Sequence, residues 1–137
     1  MDTFNNSYQK NDPQNPYGEL GNYLKVAEEG WYKHNKTNRM QYFIVYDGSK
    51  PVAVSTLITY EGIGYIANVG SLQEIRGKGF GKLATLYCVA ESRKLGNTIY
   101  CLATEEKTYP NEFYTRIGFE TKFRAVGYSK IEEFIIK

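Results

Sequence analysis

The residues whose types and spacing could do chemistry form one short stretch, residues 73–84, with the sequence QEIRGKGFGKLA. Three alternating glycines remove side chains there, so a ligand could lie directly against the backbone. An apolar run precedes the stretch and a run with helical spacing follows it, which predicts a strand, a tight turn and a helix. The first N–H groups of a helix lack internal partners and attract negative charge. Together with Arg76, Lys78 and Lys82, this arrangement predicts binding of an anion such as a phosphate or pyrophosphate.

Local spacing leaves more than one interpretation of this stretch. A P-loop requires Gly-x-x-x-x-Gly-Lys-Ser/Thr, and it is excluded because Arg76 and Leu83 occupy its first and last positions. The dinucleotide fingerprint Gly-x-Gly-x-x-Gly/Ala is satisfied by residues 79–84. Glu105 follows the next predicted strand, where a ribose-binding acid would stand. A glycine turn without any ligand is the third interpretation, and all but the P-loop stay open on the local sequence.

Composition narrows the class of protein. The 137 residues suffice for one domain with one core, and a formal net charge of +2 is too small to indicate a nucleic-acid partner. The single histidine, His34, cannot hold a metal alone, so we expect no metal site. Cys88 and Cys101 form no Cys-x-x-Cys motif and are predicted to be small core residues. The sequence shows neither a signal peptide nor an apolar run of roughly 20 residues, so we expect a cytoplasmic protein with no membrane partner.

The elements that must position the stretch follow from hydrophobic periodicity. Residues 1–16 are polar and are predicted to be a loop or frayed segment, ahead of a single domain over residues 17–137. Helical spacing covers residues 17–35, and a short helix is predicted over residues 110–117. Strands are predicted at residues 41–46, 51–60, 63–71 and 98–103.

The central helix is predicted over residues 79–95. Its apolar face is predicted to carry Phe80, Leu83, Ala84, Tyr87 and Ala90. The strand at residues 98–103 should lie parallel to the strand at residues 63–71, because a helix connects them. Two further runs, residues 119–128 and 131–136, predict a closing hairpin. The predicted fold class is therefore α/β (α+β), with a mixed sheet of about six strands in which an antiparallel meander precedes a β-α-β unit.

Two separated motifs carry a resemblance to a known family. Residues 76–81, RGKGFG, match the pattern Arg/Gln-x-x-Gly-x-Gly/Ala, and residues 113–119, FYTRIGF, are close to the pattern aromatic-Tyr-x-basic-x-Gly-Phe. With the order of elements over roughly residues 17–136, the chain resembles the GNAT superfamily of N-acetyltransferases. The resemblance implies acetyl-CoA as cofactor and direct acetyl transfer to an amine of a small molecule or peptide. It disfavours the dinucleotide interpretation, since a Rossmann half begins with parallel units.

The resemblance also implies which residues bind the cofactor. In similar proteins the amides of the glycine-rich turn bind the CoA pyrophosphate, and the end of the preceding strand pairs with the pantetheine. The strand at residues 98–103 would splay from its neighbour and leave a cleft for the thioester. The implied cofactor-binding residues are Val69, Gly70, Ser71, Arg76, Gly77, Lys78, Gly79, Phe80, Gly81 and Lys82.

The resemblance also implies catalytic roles for some residues. Tyr114 matches the family tyrosine that protonates the departing thiolate, and a hydroxyl with a reference pKa of about 10 suits that role. A core aromatic residue on a short helix is the alternative. Asn68 falls where many relatives carry a glutamate base, so it could hold a water but could not accept a proton. Glu61, Glu74 and Glu105 remain candidate bases, although the first two are better explained as solvated turn residues.

The missing glutamate keeps a second function open, that of a catalytically weak or inactive CoA-binding or interaction domain, which could be part of a larger protein. A homodimer could also complete the site. The acceptor would depend on residues 17–35 and on the hairpin loops. Glu19, Glu28, Glu29 and Tyr32 in that region could suit a cationic amine or could form a solvated surface.

Overall fold

Four α-helices and four strands make up the part of the chain that the computed structural model describes, residues 1–128. The helices are α1 (Asp2–Asn6), α2 (Asn22–His34), α3 (Phe80–Lys94) and α4 (Tyr109–Arg116). The strands are β1 (Met40–Asp47), β2 (Lys50–Tyr60), β3 (Ile63–Ser71) and β4 (Ile99–Cys101). No helix within the described residues is both long and apolar enough to cross a membrane.

The sheet has the strand order β1-β2-β3-β4, with antiparallel pairing up to β3 and parallel pairing between β3 and β4. This confirms the predicted meander and the β-α-β unit. The predicted number of about six strands is wrong for the described residues, which form four. Residues 119–128, predicted as the first strand of a closing hairpin, form no strand, and residues 131–136 lie outside the described part. β4 offers only three residues for pairing. Residues 121–128 are exposed, so no neighbouring strand holds this segment extended.

Helix α1 shows that the prediction of a loop or frayed segment is wrong for residues 2–6. Its Phe4 is completely buried and packs with Ala27 and Val54. Burying one such side chain contributes about 1.5–3 kcal/mol, whereas a five-residue helix is unstable by itself. Tertiary packing therefore determines this helix, and the polar composition of the segment gave no signal of it.

Helix α2 begins later than predicted because Gly21, its N-cap, has a φ of +52°.

The buried face of α3 differs from the predicted one. Leu83 and Tyr87 were expected to face the core, but they are 53% and 46% exposed. The side chains that face the sheet are small: Ala84, Thr85, Cys88 and Ser92. The helix needs small residues there because it lies very close to β3, where a Cβ added to Gly64 would be 2.8 Å from the Cβ of Ser92.

Cys88 is fully buried on this face, as predicted. Its thiol donates to Ser55 Oγ at 3.1 Å, and Ser55 Oγ donates to the carbonyl of Ala84 at 2.9 Å. Burial raises the pKa of the Cys88 thiol to about 11. A thiol held protonated in this way is a packing group and not a nucleophile. Cys101, by contrast, is only partly buried.

We expect Gly64→Ala to destabilise the protein by about 1–3 kcal/mol, because the new methyl group would force α3 away from β3. The matched control is Gly30→Ala on α2, where the nearest atom to an added Cβ is 3.9 Å away. The control should stabilise by about 0.5–1 kcal/mol, since alanine favours helix more than glycine does. Urea unfolding followed by circular dichroism measures both. Equal stability of Gly64→Ala and the unmodified chain would contradict the close helix–sheet contact.

Candidate active site

The glycine-rich turn leads from β3 into α3 and leaves backbone donors free. Gly77 and Gly79 have φ values of +84° and +86°, a region that side chains disfavour. Gly79 is the N-cap of α3 and caps it with no side chain. The first internal bond of the helix is donated by Leu83, so the N–H groups of residues 80–82 have no acceptor within the helix. At α4, by contrast, the Thr108 side chain accepts a bond from the first turn.

One edge of β3 beyond residue 65 faces a cavity and not a strand. β4 pairs with β3 only at residues 63–65 of β3. The N–H of Leu72 donates to the carbonyl of Val52 on β2 at 2.9 Å. Because backbone groups alternate in direction along a strand, those of Val69 and Ser71 point to the opposite edge. Two of the three residues predicted to pair with pantetheine therefore present their backbone groups at the free edge.

The backbone groups of Gly70, the third of these residues, do not point to the free edge. Its backbone groups point toward β2, and a Cβ in its place would lie 2.7 Å from the Cβ of Ser7. Beside it, β3 is irregular, and its register with β2 shifts between Val54 and Thr56. Asn68, predicted as a catalytic residue, has a φ of +52° in this bulge. Its Oδ1 accepts a hydrogen bond from the Tyr23 hydroxyl at 2.9 Å.

The N-terminal segment closes over the end of β3. The Tyr8 hydroxyl donates to the carbonyl of Val69 at 2.8 Å, and the Arg76 guanidinium donates to the carbonyl of Ser71 at 3.1 Å. The guanidinium also pairs with the carboxylate of Asp12, which is completely buried. Arg76 thus joins the N-terminal segment, the end of β3 and the start of the glycine turn.

Tyr114 lies on α4, with its ring packed edge-to-face against Phe113 and Phe119 at centroid distances of 5.1 and 5.9 Å. Burial raises the pKa of the Tyr114 hydroxyl well above its ordinary value of about 10, and the neighbouring Tyr8 and Tyr17 raise it further. The hydroxyl is therefore protonated at neutral pH and is a hydrogen-bond donor in the cavity wall.

A single cavity of about 970 Å³ connects these features. All but one of the predicted site residues line it: Asn68, Val69, Gly70, Ser71, Arg76, Gly77, Gly79, Phe80, Gly81, Lys82 and Tyr114. The exception is Lys78, which is exposed and lies outside the lining. The candidate bases Glu61, Glu74 and Glu105 do not line the cavity either. Glu74 instead pairs with Lys50 at 3.5 Å on the surface.

Sequence reasoning missed several residues of this site. Tyr8, Tyr17, Tyr23 and Tyr65 line the cavity, and Asp12 anchors Arg76. No motif marks any of them. The only signal was the count of 13 tyrosines, which does not say which ones converge.

Comparisons with known proteins agree with this geometry. The family model of the acetyltransferase (GNAT) family matches residues 2–119, and the chain belongs to this family. A search of curated proteins gave no match. Solved structures include a putative acetyltransferase from Agrobacterium tumefaciens str. C58, at 20% identity and a TM-score of 0.70, with 95% of this chain and 93% of that chain covered.

Two further solved structures are similar in fold. Glucosamine-6-phosphate N-acetyltransferase from Arabidopsis thaliana is 14% identical with a TM-score of 0.62, over 85% of this chain and 82% of that one. AAC(6')-Iy, in complex with the bisubstrate analog CoA-S-monomethyl-acetylneamine, is 17% identical with a TM-score of 0.65, over 85% and 83%. These likenesses concern the fold.

We expect Asp12→Ala to destabilise the protein by about 3 kcal/mol, because it leaves the Arg76 guanidinium largely buried without its carboxylate. Urea unfolding of Asp12→Ala, Arg76→Ala and the double variant would measure the pair. The double variant should lose clearly less than the sum of the two single losses. Strictly additive losses would show that the two side chains are not coupled.

Proposed function

We propose that this protein binds acetyl-CoA and transfers its acetyl group directly to an amine. The observation that carries the proposal is the cavity, which brings the free amides of the glycine turn, the free edge of β3 and Tyr114 into one space. When bound, acetyl-CoA supplies the activated acetyl thioester. A cytoplasmic location and a homodimer remain predictions.

In the proposed complex the pyrophosphate is held by backbone amides between Gly77 and Lys82, since these donors lie at a helix N-terminus without a side-chain cap. Lys82 lines the cavity and adds a positive charge. The pantetheine extends along the edge of Val69 and Ser71 and pairs with their N–H groups, since their carbonyls accept bonds from Tyr8 and Arg76. We assign Arg76 a positioning role, because its guanidinium is already bonded to Asp12 and to the Ser7 and Ser71 carbonyls.

The proposed reaction has one proton to remove and one to supply. A lysine-like amine has a pKa of about 10.4, so only about one molecule in 2,500 is neutral at pH 7. The neutral nitrogen attacks the thioester carbonyl carbon, and the C–S bond breaks as the sulfur takes a proton from the Tyr114 hydroxyl. A water held by Asn68 and Tyr23 accepts the proton that the nitrogen loses after attack and passes it to solvent, and solvent returns one proton to the Tyr114 phenolate, so the transfer from the neutral amine neither consumes nor releases a proton overall.

Calorimetric titration tests the binding step. We expect micromolar affinity for acetyl-CoA and no response to NAD, because the glycine turn opens onto the cavity beside β3 and no Rossmann half is present in residues 1–128. Consumption of acetyl-CoA only when an amine is supplied would then separate an enzyme from an inactive CoA-binding domain, the alternative we do not favour. Absence of acetyl-CoA binding would reject both.

Tyr114→Phe should lower kcat by about 10²-fold or more, because the variant cannot protonate the leaving thiolate. The dissociation constant for CoA should change little, since the ring and its packing remain. Tyr60→Phe serves as the matched control, because Tyr60 is 68% exposed and lies outside the cavity. Steady-state kinetics and calorimetry on the same preparations supply both quantities. Unchanged kcat in Tyr114→Phe would remove Tyr114 from the mechanism.

A further inference from the structure

The cavity extends well beyond the glycine turn, along β3. Tyr65 precedes Ser71 by six residues, which corresponds to about 20 Å along a strand. Met40 pairs with Ile58 across β1 and β2, and Ile58 pairs with Tyr65 across β2 and β3. Directly paired residues point to the same face of a sheet, so these three side chains form a row. All of them line the cavity, and they form an apolar floor at its far end.

Two more tyrosines, Tyr17 and Tyr23, join Tyr65 to form the tyrosine wall of the cavity. Tyr17, Tyr23 and Tyr65 line the cavity and are 48%, 48% and 38% exposed. Burial raises the pKa of both Tyr17 and Tyr65, and Glu105, which lies outside the cavity lining, also acts on the Tyr17 hydroxyl through its backbone and its carboxylate. Much of their aromatic surface is thus left uncovered by the described chain. Exposed aromatic faces of this kind bind cations and apolar groups.

The charges of the cavity are divided between its ends. Arg76 and Lys82 belong to the glycine turn. The third cationic lining residue, Arg116, lies over the Tyr109 ring at 5.5 Å, and that ring stacks on Phe113. Phe113 in turn is 3.7 Å from the Cβ position of Gly81, which places this group on the turn side.

The remaining charged lining residue is Glu19, in the segment that leads to α2. Its side chain is exposed, as expected for a carboxylate at the cavity mouth. Glu19 is thus the one carboxylate among the charged lining residues of the described chain, and the three cationic lining residues belong to the side of the glycine turn.

We propose that the acceptor is a monocationic primary amine carried on an apolar hydrocarbon body, with Glu19 and the tyrosine faces recognising the ammonium group and the Met40–Ile58–Tyr65 row receiving the carbon skeleton. This inference rests on the proposed acetyl transfer. A phosphorylated acceptor would need cationic partners that this end of the cavity lacks. A polycationic acceptor would leave its further charges without carboxylates.

An acceptor series tests the inference on the full chain with acetyl-CoA. The amines are phenethylamine, glucosamine 6-phosphate, neamine and spermidine, and the measurement is thiol release. We expect kcat/KM for phenethylamine to exceed each of the others by about tenfold or more. A higher value for any of the other three would overturn the acceptor class and leave acetyl transfer standing. If acetyl-CoA binds and no amine is acetylated, both the inference and the proposed function fail.

Variants test the recognition directly. Glu19→Gln should raise KM for phenethylamine about fivefold with kcat nearly unchanged, because an exposed carboxylate contributes modestly. The same variant should leave inhibition by the uncharged phenethyl alcohol unaltered, which a structural defect would not. Glu29→Gln is the matched control, since Glu29 pairs with Lys25 on the outer surface of α2. Equal KM values in the two variants would rule out recognition by Glu19.

The tyrosine wall has its own pair of variants. Tyr65→Phe keeps an aromatic face and should retain KM for phenethylamine within about twofold. Tyr65→Leu keeps the apolar volume but removes the face, so it should raise that KM by about fivefold. Unaltered KM in Tyr65→Leu would contradict a cation-binding role for the ring.

Discussion

The site depends on one constraint, which is that β3 has a partner strand along only part of one edge. A buried backbone N–H or C=O group must find a partner. On the β2 side the ladder runs the length of β3 except at the bulge around Asn68, but on the other side β4 ends after three pairs. Beyond that point the carbonyls of Val69 and Ser71 are bonded by the side chains of Tyr8 and Arg76. Because side chains, and not another strand, donate to these carbonyls, space remains beside this edge of the sheet. The cavity occupies that space.

The N-terminal segment is therefore part of the site. Phe4 anchors it in the core, and the buried ion pair of Asp12 with Arg76 fixes it to the glycine turn. Two buried charges are stable together only when their remaining donors and acceptors are bonded, and the carbonyls of Ser7 and Ser71 meet that need. Because Arg76 stands at the start of the turn, the conformation of the turn and the docking of the N-terminal segment depend on each other.

The sequence predicts what is local and misses what is distant. The strand, glycine turn and helix follow from adjacent residues, and both Gly77 and Gly79 take the positive φ that their position in a turn suggests. The Asp12–Arg76 pair spans 64 residues, and the contact of Tyr8 with Val69 spans 61. Pairs so far apart leave no periodic signal. The inward face of α3 was predicted only through Ala84 and Cys88, because hydrophobicity ranks large residues first whereas close approach to Gly64 selects small ones.

The proposed reaction makes two opposing demands on the acceptor amine. Recognition favours the charged ammonium, whereas attack on the thioester needs the neutral nitrogen. Among the lining residues of the described chain, Glu19 is the sole carboxylate, and it is exposed, so its hold on a cation is of the order of 1 kcal/mol or less. The apolar floor of the cavity acts in the other direction, since desolvation lowers the pKa of an amine. An amine drawn in at the mouth is therefore more readily deprotonated as it moves along β3 toward the bulge. In the proposed reaction, this gradient would reduce the need for a base at the position of Asn68.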